Sequence, residues 1–309
     1  MKTIIAIAGA SGDLGERVAR ALAARDAEVR ALVRRDASAD VTQRIAALGA
    51  TPVCADSADV ASMARALEGA TCVISTLNGL RDVIVDRQVV LLNAAVQAGV
   101  PRFIPSDFAA DFTKIPPGDN RNFDLRREFM THADRSPLAV TSILNGAFMD
   151  MLGAEMPIIQ PRVHRVLCWG SAEQPLDFTM KDDVAAYTAE AALDAKTPRW
   201  LRIAGDVVTA SDIANAMTEA THERYRTLRV GGLRLLSLMI RIAKLAAPQP
   251  HETFPPWQGM QYMRDMFSGR ARLAPLDNAR YPSLTGAKRR EKRDLKWTSV
   301  REHVGRLAK

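Results

Sequence analysis

The chain has 309 residues, enough for a large buried core and for one or two domains. Its formal charge is +7, but residues 287–309 carry an excess of six positive charges, which leaves about +1 for the rest. This distribution argues against a general nucleic-acid-binding protein, and we interpret the basic segment 288–296 as a solvated loop, with a nucleic-acid or acidic partner as the alternative. Three scattered cysteines indicate a reduced, cytoplasmic protein, and no Cys/His pairing has metal-ligand spacing, so we expect no metal.

The first predicted elements are a buried strand over 1–8 and a helix over 14–25, joined by a glycine loop. Gly9, Gly12 and Gly15 have the spacing G-x-x-G-x-x-G. Such glycines permit a tight turn, close approach of backbone N–H groups to a pyrophosphate, and close packing of helix on strand. The helix N-terminus adds free N–H groups and a positive dipole end. We predict a dinucleotide-binding loop, with a glycine turn that binds nothing as the alternative.

The second strand, over 27–33, ends in Arg34 and Arg35. An NAD-specific site usually has Asp or Glu here, where it binds the ribose 2′-hydroxyl. Guanidinium groups instead match a phosphate bidentately. We therefore predict NADP(H), with Arg34 as the first candidate for the 2′-phosphate and Arg35 as the second; a solvated arginine pair is the alternative.

Strand and helix patterns continue to alternate through residue 145. Strands are predicted over 51–55, 70–78, 100–108 and 138–145, and helices over 39–48, 59–68, 82–98 and 122–134. The alternation predicts an α/β fold with a Rossmann-type, doubly wound parallel sheet, whose ligands lie at the carboxyl ends of the strands. The residues expected to bind the cofactor there are Gly9, Ser11, Gly12, Asp13, Leu14, Gly15, Arg34, Arg35, Asp56, Thr76, Leu77, Asn78, Pro105, Ser106 and Asn145.

Beyond about residue 155 the alternation loosens. Short strands are predicted over 163–169, 175–179 and 200–203, and helices over 181–193, 209–220, 231–247 and 300–307, the second of them capped by Thr209 or Ser211 and the third amphipathic. We predict an NADP-binding Rossmann domain over 1–155 and a smaller α+β substrate or partner lobe over 156–309, part of which returns to the Rossmann sheet. No stretch is long and apolar enough to span a membrane, and the apolar run at residues 4–8 is too short for a secretory signal.

Two segments of the second half leave alternatives open. The amphipathic helix over 231–247 either packs over the core or a partner subunit, or touches a membrane surface. A methionine-rich stripe within 254–269 either lines a pocket for a flat aromatic or quinone-like molecule, or packs as core or at a dimer contact. The predicted substrate-pocket residues are Phe108, Phe148, Trp257, Met260 and Met263.

Several segments together resemble the NmrA-like and isoflavone-reductase-like branch of the atypical short-chain dehydrogenases. The glycine loop and the Val33-Arg34 strand end are similar to the family's NADP-binding elements. The stretch 101–108, PRFIPSDF, resembles its R-F-hydrophobic-P-S-E-F-G signature, and residues 178–188 match its later D-[IV]-A helix entry. The resemblance is good to about residue 205 and thin afterwards.

Two departures bear on catalysis. No Tyr-x-x-x-Lys pair is present, so the usual acid–base pair of short-chain dehydrogenases is missing. The reductases of this branch carry F-x-x-K, whereas Phe123 is followed by Arg126. Arginine does not deprotonate in proteins and cannot act as a general base, but it can stabilise a developing oxyanion. Arg126 is the first catalytic candidate and Asp107 the second.

Two functions from different classes follow. The first is an NADPH-dependent reductase that transfers hydride to a small conjugated carbonyl, quinone or aromatic substrate. The alternative, which the resemblance allows, is a non-catalytic NADP(H)-binding redox sensor or regulator. Epimerisation is a weaker third reading because the Tyr-x-x-x-Lys pair is missing. We expect a small-molecule substrate and no specific nucleic acid, while a homodimer or a regulatory protein partner stays open.

Overall fold

The computed structural model describes residues 3–153, 155–282 and 297–307. The basic segment 288–296 therefore lies outside the described residues. The chain divides into two compact units, of which the first comprises Met1–Phe108, Leu125–Ile143 and Val184–Leu201, and the second Ala109–Asp124, Leu144–Asp183 and Arg202–Lys309. The sequence-based division at residues 155 and 156 stays a prediction. None of the described helices has both the length and the apolar character needed to cross a membrane.

The first unit is built on a six-stranded parallel sheet. Its strands are β1 Ile4–Ala8, β2 Glu28–Val33, β3 Ala50–Cys54, β4 Cys72–Ser75, β5 Arg102–Ile104 and β6 Ala139–Val140. They lie in the order β3-β2-β1-β4-β5-β6, and every neighbouring pair is parallel. This is the strand order of the doubly wound dinucleotide-binding fold, so the predicted Rossmann-type fold is confirmed.

Helices connect these strands, as the alternation predicted. They are α1 Asp13–Ala23, α2 Ala39–Ala47, α3 Val60–Leu67, α4 Gln88–Gln97 and α5 Arg121–Ala133, and a π-helical turn over Asp82–Arg87 leads into α4. Helix α6 Lys181–Leu193 comes later in the chain, after the last strand of this sheet. Helix α1 forms because its apolar residues recur at helical spacing, and Val18, Ala19 and Leu22 are buried. Phe103 of β5 and Phe129 of α5 meet in the core with ring centroids 6.2 Å apart.

Among the described residues, the second unit has smaller sheets and four further α-helices. The remaining strands and α-helices of the chain, in which β7 and β12 span the passages between the units, are β7 Ser142–Leu144, β8 Ala147–Phe148, β9 Ile159–Gln160, β10 Arg165–Trp169, β11 Leu176–Thr179, β12 Trp200–Arg202, β13 Asp206–Val208, β14 Arg226–Gly231, α7 Ala210–Thr221, α8 Leu233–Ala246, α9 Pro256–Phe267 and α10 Val300–Leu307. Two three-stranded sheets have the orders β14-β10-β9 and β13-β11-β8. Strands β7 and β12, which pair with each other, lie where the chain passes from one unit to the other. The predicted cap Thr209 is confirmed by a reciprocal capping box with Asp212.

The predicted single strand over 138–145 is wrong, because it is two strands in different sheets. Strand β6 pairs with β5, and the N–H of Thr141 still donates to the carbonyl of Phe103. The next N–H, of Ser142, donates instead to the carbonyl of Arg199 at 2.9 Å. The backbone changes partner at this point, which an uninterrupted apolar pattern does not reveal. Strand β14 was also missed, since its sequence RTLRVG lacks a clear alternation and most of it is exposed at a sheet edge.

Burial of Asp183, at the start of α6, has a consequence for stability. Burial raises the pKa of Asp183 to about 6, although the N–H of Thr298 donates to its Oδ2 at 2.9 Å and offsets part of the shift. A carboxyl whose folded-state pKa is raised binds its proton more tightly in the folded state. Its contribution to the free energy of unfolding therefore falls as pH rises from about 4 to about 6 and stays low above that.

Asp183→Asn is expected to remove this loss of stability at higher pH. The amide has no proton to lose, and its oxygen can still accept the hydrogen bond from Thr298. The melting temperature of the variant should exceed that of the wild type by about 2–4 °C at pH 8, with the difference vanishing near pH 4. Calorimetric melting across this pH range measures it, with Asp82→Asn, an exposed carboxyl at the start of another helical segment, as the control that keeps the wild-type profile. A variant less stable than the wild type at pH 8 would show that the ionised carboxylate stabilises the fold.

Candidate cofactor-binding site

The glycine loop is a backbone cradle between β1 and α1. Gly9 has φ +87, a left-handed conformation that favours glycine, and a Cβ placed on it would lie 2.8 Å from Thr76 Oγ1. A Cβ on Gly15 would overlap the carbonyl oxygen of Gly9 and lie 2.8 Å from Cα of Ala10. Gly12 is the N-cap of α1 and brings no side chain to cap it. Ser11, Gly12 and Asp13 are exposed, while Leu14 is half-buried.

The loops after β1, β4 and β5 are tied together by hydrogen bonds. Thr76, directly after β4, donates its backbone N–H at 2.8 Å and its hydroxyl at 3.0 Å to the carbonyl of Ala8. Ser106 donates its hydroxyl to the carbonyl of Leu77 at 2.6 Å. The N–H of Ser106 donates to Gln88 Oε1 at 2.8 Å. The carboxyl ends of these three parallel strands therefore form one edge, and the exposed Asn78 and the buried Pro105 flank the tied residues.

Two predicted cofactor residues lie at the ends of β2 and β3. Arg34 and Arg35 are both exposed, and Nε of Arg34 lies 3.6 Å from a carboxylate oxygen of Asp36. Because both side chains of this ion pair are exposed, the pair contributes little free energy, and another anion can replace Asp36 at little cost in free energy. Asp56 is half-buried, and its carboxylate accepts from the N–H of Ala58 at 2.9 Å, which closes the turn before α3.

Asp107, which follows the β5 loop, is a fully buried carboxyl. Ser142 donates its hydroxyl to Asp107 Oδ2 at 2.5 Å, and Arg199 in turn donates to Ser142 Oγ at 2.7 Å. Burial raises the pKa of Asp107, although the Ser142 hydrogen bond and the positive charges of Arg126 and Arg199 lower it in part. Its Oδ1 has no hydrogen-bond partner among the described residues. The side chain is thus held by one oxygen, and burial keeps its pKa above that of an ordinary carboxyl.

Arg126 lies on α5 in the same unit and is half-buried. It is close enough to Asp107 to lower the pKa of that carboxyl. The first unit therefore brings together the two catalytic candidates from separate parts of the chain. His132, later on α5, is exposed, and Glu128 pairs with Arg81 at 2.5 Å.

Apart from Phe108, the other predicted site residues belong to the second unit. Asn145 is buried, and its N–H donates to the carbonyl of Ala109 at 2.9 Å. Trp257 is buried with Arg121 and Lys244 over its ring at 4.7 and 4.9 Å. Met260 and Met263 pack against the core cluster of this unit, which agrees with the packing alternative for the methionine-rich stripe. The pocket role of these residues stays a prediction, as it does for Phe148, which lies under Lys181 Nζ at 5.8 Å, and for the buried Phe108 of the first unit.

Sequence reasoning missed three residues that hold the site: Gln88, Ser142 and Arg199. Gln88 is fully buried, and its amide donates to the carbonyl of Ile84 at 2.7 Å while its oxygen accepts from Ser106. A glutamine that begins the apolar run QVVLL is a signal that could have identified it. Ser142 and Arg199 carry no comparable signal, because their roles arise only when β7 and the segment after α6 meet.

The cradle fits a dinucleotide. Three glycines leave no side chain between the loop backbone and a ligand, and any Cβ at Gly9 or Gly15 would fill or deform the loop. The first turn of α1 directs its N–H groups toward the same loop. Within the described residues, no group of three or more His, Cys, Asp or Glu side chains is placed to hold a metal ion.

Comparisons with known proteins agree with this geometry. The model of the NmrA-like family matches residues 1–300. Pinoresinol reductase 2 of Arabidopsis thaliana is 25% identical over 249 residues, which cover 75% of this chain and 78% of that protein. The structure of AtPrR2 with NADP+ and (+)pinoresinol has a TM-score of 0.81 at 20% identity and covers 99% of both chains. The NADPH-dependent quinone oxidoreductase QOR2 from Escherichia coli has a TM-score of 0.70 at 20% identity and covers 98% of this chain and 99% of that one.

Proposed function

Because the chain belongs to the NmrA-like family, we propose that it is an NADPH-dependent reductase of a small conjugated carbonyl, quinone or aromatic substrate. The observation that carries the proposal is the glycine cradle between β1 and α1, whose packing leaves no room for a side chain at Gly9 or Gly15. The similar proteins support the reaction class, since they include a pinoresinol reductase and an NADPH-dependent quinone oxidoreductase.

The first unit supplies the groups that would hold NADPH. The backbone N–H groups of the first turn of α1 would bind the pyrophosphate, and Arg34, supported by Arg35, would bind the 2′-phosphate. The tied loops that contain Thr76 and Ser106 would line the same edge of the sheet. NADPH, when bound, supplies a hydride. We propose that the protein is cytoplasmic, which is consistent with the free thiols of Cys54, Cys72 and Cys168.

We propose that Arg126 and Asp107 respond to the negative charge that develops on the substrate during reduction. Reduction of a quinone or enone places negative charge on an oxygen, and the fixed cation of Arg126 would stabilise that oxygen. Asp107 would keep its proton to a higher pH than an ordinary carboxyl, because burial raises its pKa. This division of roles needs no Tyr-x-x-x-Lys pair, since the final proton can come from water.

A second candidate function is an NADP(H)-binding sensor without turnover. The observation that favours it is Arg126, which stands where the family's reductases have lysine and cannot act as a general base. In that case the cradle would bind the cofactor and the output would pass to a protein partner.

Turnover separates the two candidates. We expect purified protein to consume NADPH repeatedly with at least one acceptor from a panel of quinones, enones and aromatic ethers, and to consume NADH far more slowly. Absorbance at the nicotinamide band measures it. Tight NADPH binding with no consumption for any acceptor would contradict the reductase and favour the sensor, whereas failure to bind NADPH at all would contradict both.

The cofactor preference gives a prediction for Arg34. Arg34→Ala is expected to raise the Kd for NADPH about tenfold and to leave the Kd for NADH nearly unchanged, because one exposed charge-assisted contact to the 2′-phosphate is lost. Fluorescence titration with both cofactors measures it, and Arg35→Ala should show a smaller effect in the same direction. Equal weakening for NADPH and NADH would overturn the assignment of Arg34.

A further inference from the structure

The second unit leaves one helix with apolar side chains on two faces. Helix α8 buries Leu236 and Ile240 in the core of the unit. A further set, Leu235, Leu238, Ile242 and Leu245, is between 46% and 85% exposed. A surface helix usually presents polar residues on the side away from the core, so a second apolar face indicates a site of contact.

The exposed residues form one continuous stripe. Their spacings of three, four and three place them on the same side of the helix, within an arc of about 120° that also includes Arg234 and Arg241. Both arginines are exposed, and they lie together at one margin of the stripe. We call this set of six residues the α8 stripe.

The charged residues of the chain segment that carries the α8 stripe all have one sign. Residues 224–251 contain six Lys or Arg and no Asp or Glu. Arg226 and Arg229, in the strand that precedes the helix, are exposed as well. The stripe is therefore an apolar surface bordered by cations, with no carboxylate in its own segment of the chain.

This charge argues against a second copy of the chain as the occupant. A two-fold contact places the same patch on both sides, so each arginine at the margin would face a surface whose own segment supplies no carboxylate. Like charges across an interface cost affinity and suppress that pairing. An anionic bilayer supplies a partner for each kind of side chain in the stripe. Its phosphates can bind the arginines, and the hydrocarbon directly beneath them can bury the leucines and the isoleucine.

We propose that the α8 stripe is an interfacial membrane-binding surface, which lays the helix in the headgroup region of an anionic lipid bilayer. The apolar side chains enter the boundary of the acyl chains while Arg234 and Arg241 remain at the phosphates. The protein would be bound to the membrane surface without crossing it. This inference does not depend on the proposed reductase activity.

Vesicle sedimentation of the full-length protein tests it. We expect binding to vesicles of equal parts phosphatidylcholine and phosphatidylglycerol, and little binding to phosphatidylcholine alone. Arg234→Gln/Arg241→Gln is expected to lower the partition coefficient about 30-fold. Leu238→Gln/Ile242→Gln, which keeps every charge, is expected to lower it at least about tenfold, because apolar burial is lost.

Two control variants match these changes elsewhere on the surface. Arg65→Gln/Arg135→Gln removes the same charge from the first unit, and Val163→Gln/Leu307→Gln replaces residues that are 59% and 51% exposed, close to the 56% and 52% of Ile242 and Leu238. Both should bind like the wild type. The proposal is wrong if the wild type does not bind anionic vesicles or binds neutral vesicles equally well. It is wrong, too, if Arg65→Gln/Arg135→Gln weakens binding as much as Arg234→Gln/Arg241→Gln. It is also wrong if the wild type is a dimer that Leu238→Gln/Ile242→Gln dissociates without any vesicle binding.

Discussion

Replacing Gly15 with alanine is expected to raise the Kd for NADPH about 100-fold and to lower the melting temperature of the protein. The new Cβ would overlap the carbonyl oxygen of Gly9 and lie 2.8 Å from Cα of Ala10, so backbone and not a flexible side chain must move. Overpacking of this kind costs about 1–3 kcal/mol. The same displacement moves the loop N–H groups away from the pyrophosphate, and each 1.4 kcal/mol lost corresponds to about tenfold in Kd.

Two further glycines act as controls for Gly15→Ala. A Cβ on Gly12 would lie 3.4 Å from the Gly9 oxygen, an ordinary contact, so Gly12→Ala should keep the fold while its methyl group hinders the approach of the phosphates. Gly305→Ala in α10 meets nothing within 4 Å and should change neither cofactor binding nor the fold. Fluorescence titration and thermal melting measure both quantities. Wild-type NADPH affinity in Gly15→Ala would show that the loop does not bind the cofactor through its packed backbone.

Loss of the Arg126 cation is expected to lower kcat about 100-fold while the Kd for NADPH stays within a factor of about two. Arg126→Met removes the charge but keeps much of the side-chain length. Arg126→Lys keeps the charge, so it should retain most of the wild-type activity. Steady-state kinetics of both variants, with NADPH titrations alongside, separate an effect on the reaction from an effect on binding.

The neighbouring Arg127→Met is the matched control for Arg126. It removes the same charge from the same helix, one position further and about 100° around the axis, so it should leave kcat nearly unchanged. If Arg126→Met turns over like the wild type, the electrostatic role is wrong. If both variants lose activity equally, the effect belongs to the charge of α5 as a whole.

The fold of the first unit could be predicted because each of its signals is local. The glycine spacing, the apolar strands and the intervening helices lie within short windows, and α6 begins and ends where its pattern predicted, at Lys181–Leu193. The division of residues 138–145 into β6 and β7 could not be predicted in this way. The change of hydrogen-bond partner at Ser142 depends on the carbonyl of Arg199, which comes from a distant segment.

The residues of the candidate site also fall into those that the sequence could predict and those that it could not. Four candidates could be identified from the sequence, because the glycine spacing and the charged residue at a strand end both lie within a short stretch of the chain. They are Gly9, Gly12, Gly15 and Arg34. Asp107 was identified from a motif, but its environment was not, since Ser142 lies 35 residues away along the chain and Arg199 a further 57 residues on. The raised pKa of Asp107 is a product of burial and of these long-range partners. The α8 stripe could be predicted as an amphipathic helix, whereas only the structure shows which of its faces stays exposed.

The most direct test of the proposed function is mass spectrometry of the product formed from NADPH deuterated at C4, with the best acceptor from the panel. The product should carry one deuterium from a single face of the nicotinamide and should form over many turnovers per protein. A product without deuterium, or no product despite tight NADPH binding, would contradict the proposal that this chain is an NADPH-dependent reductase.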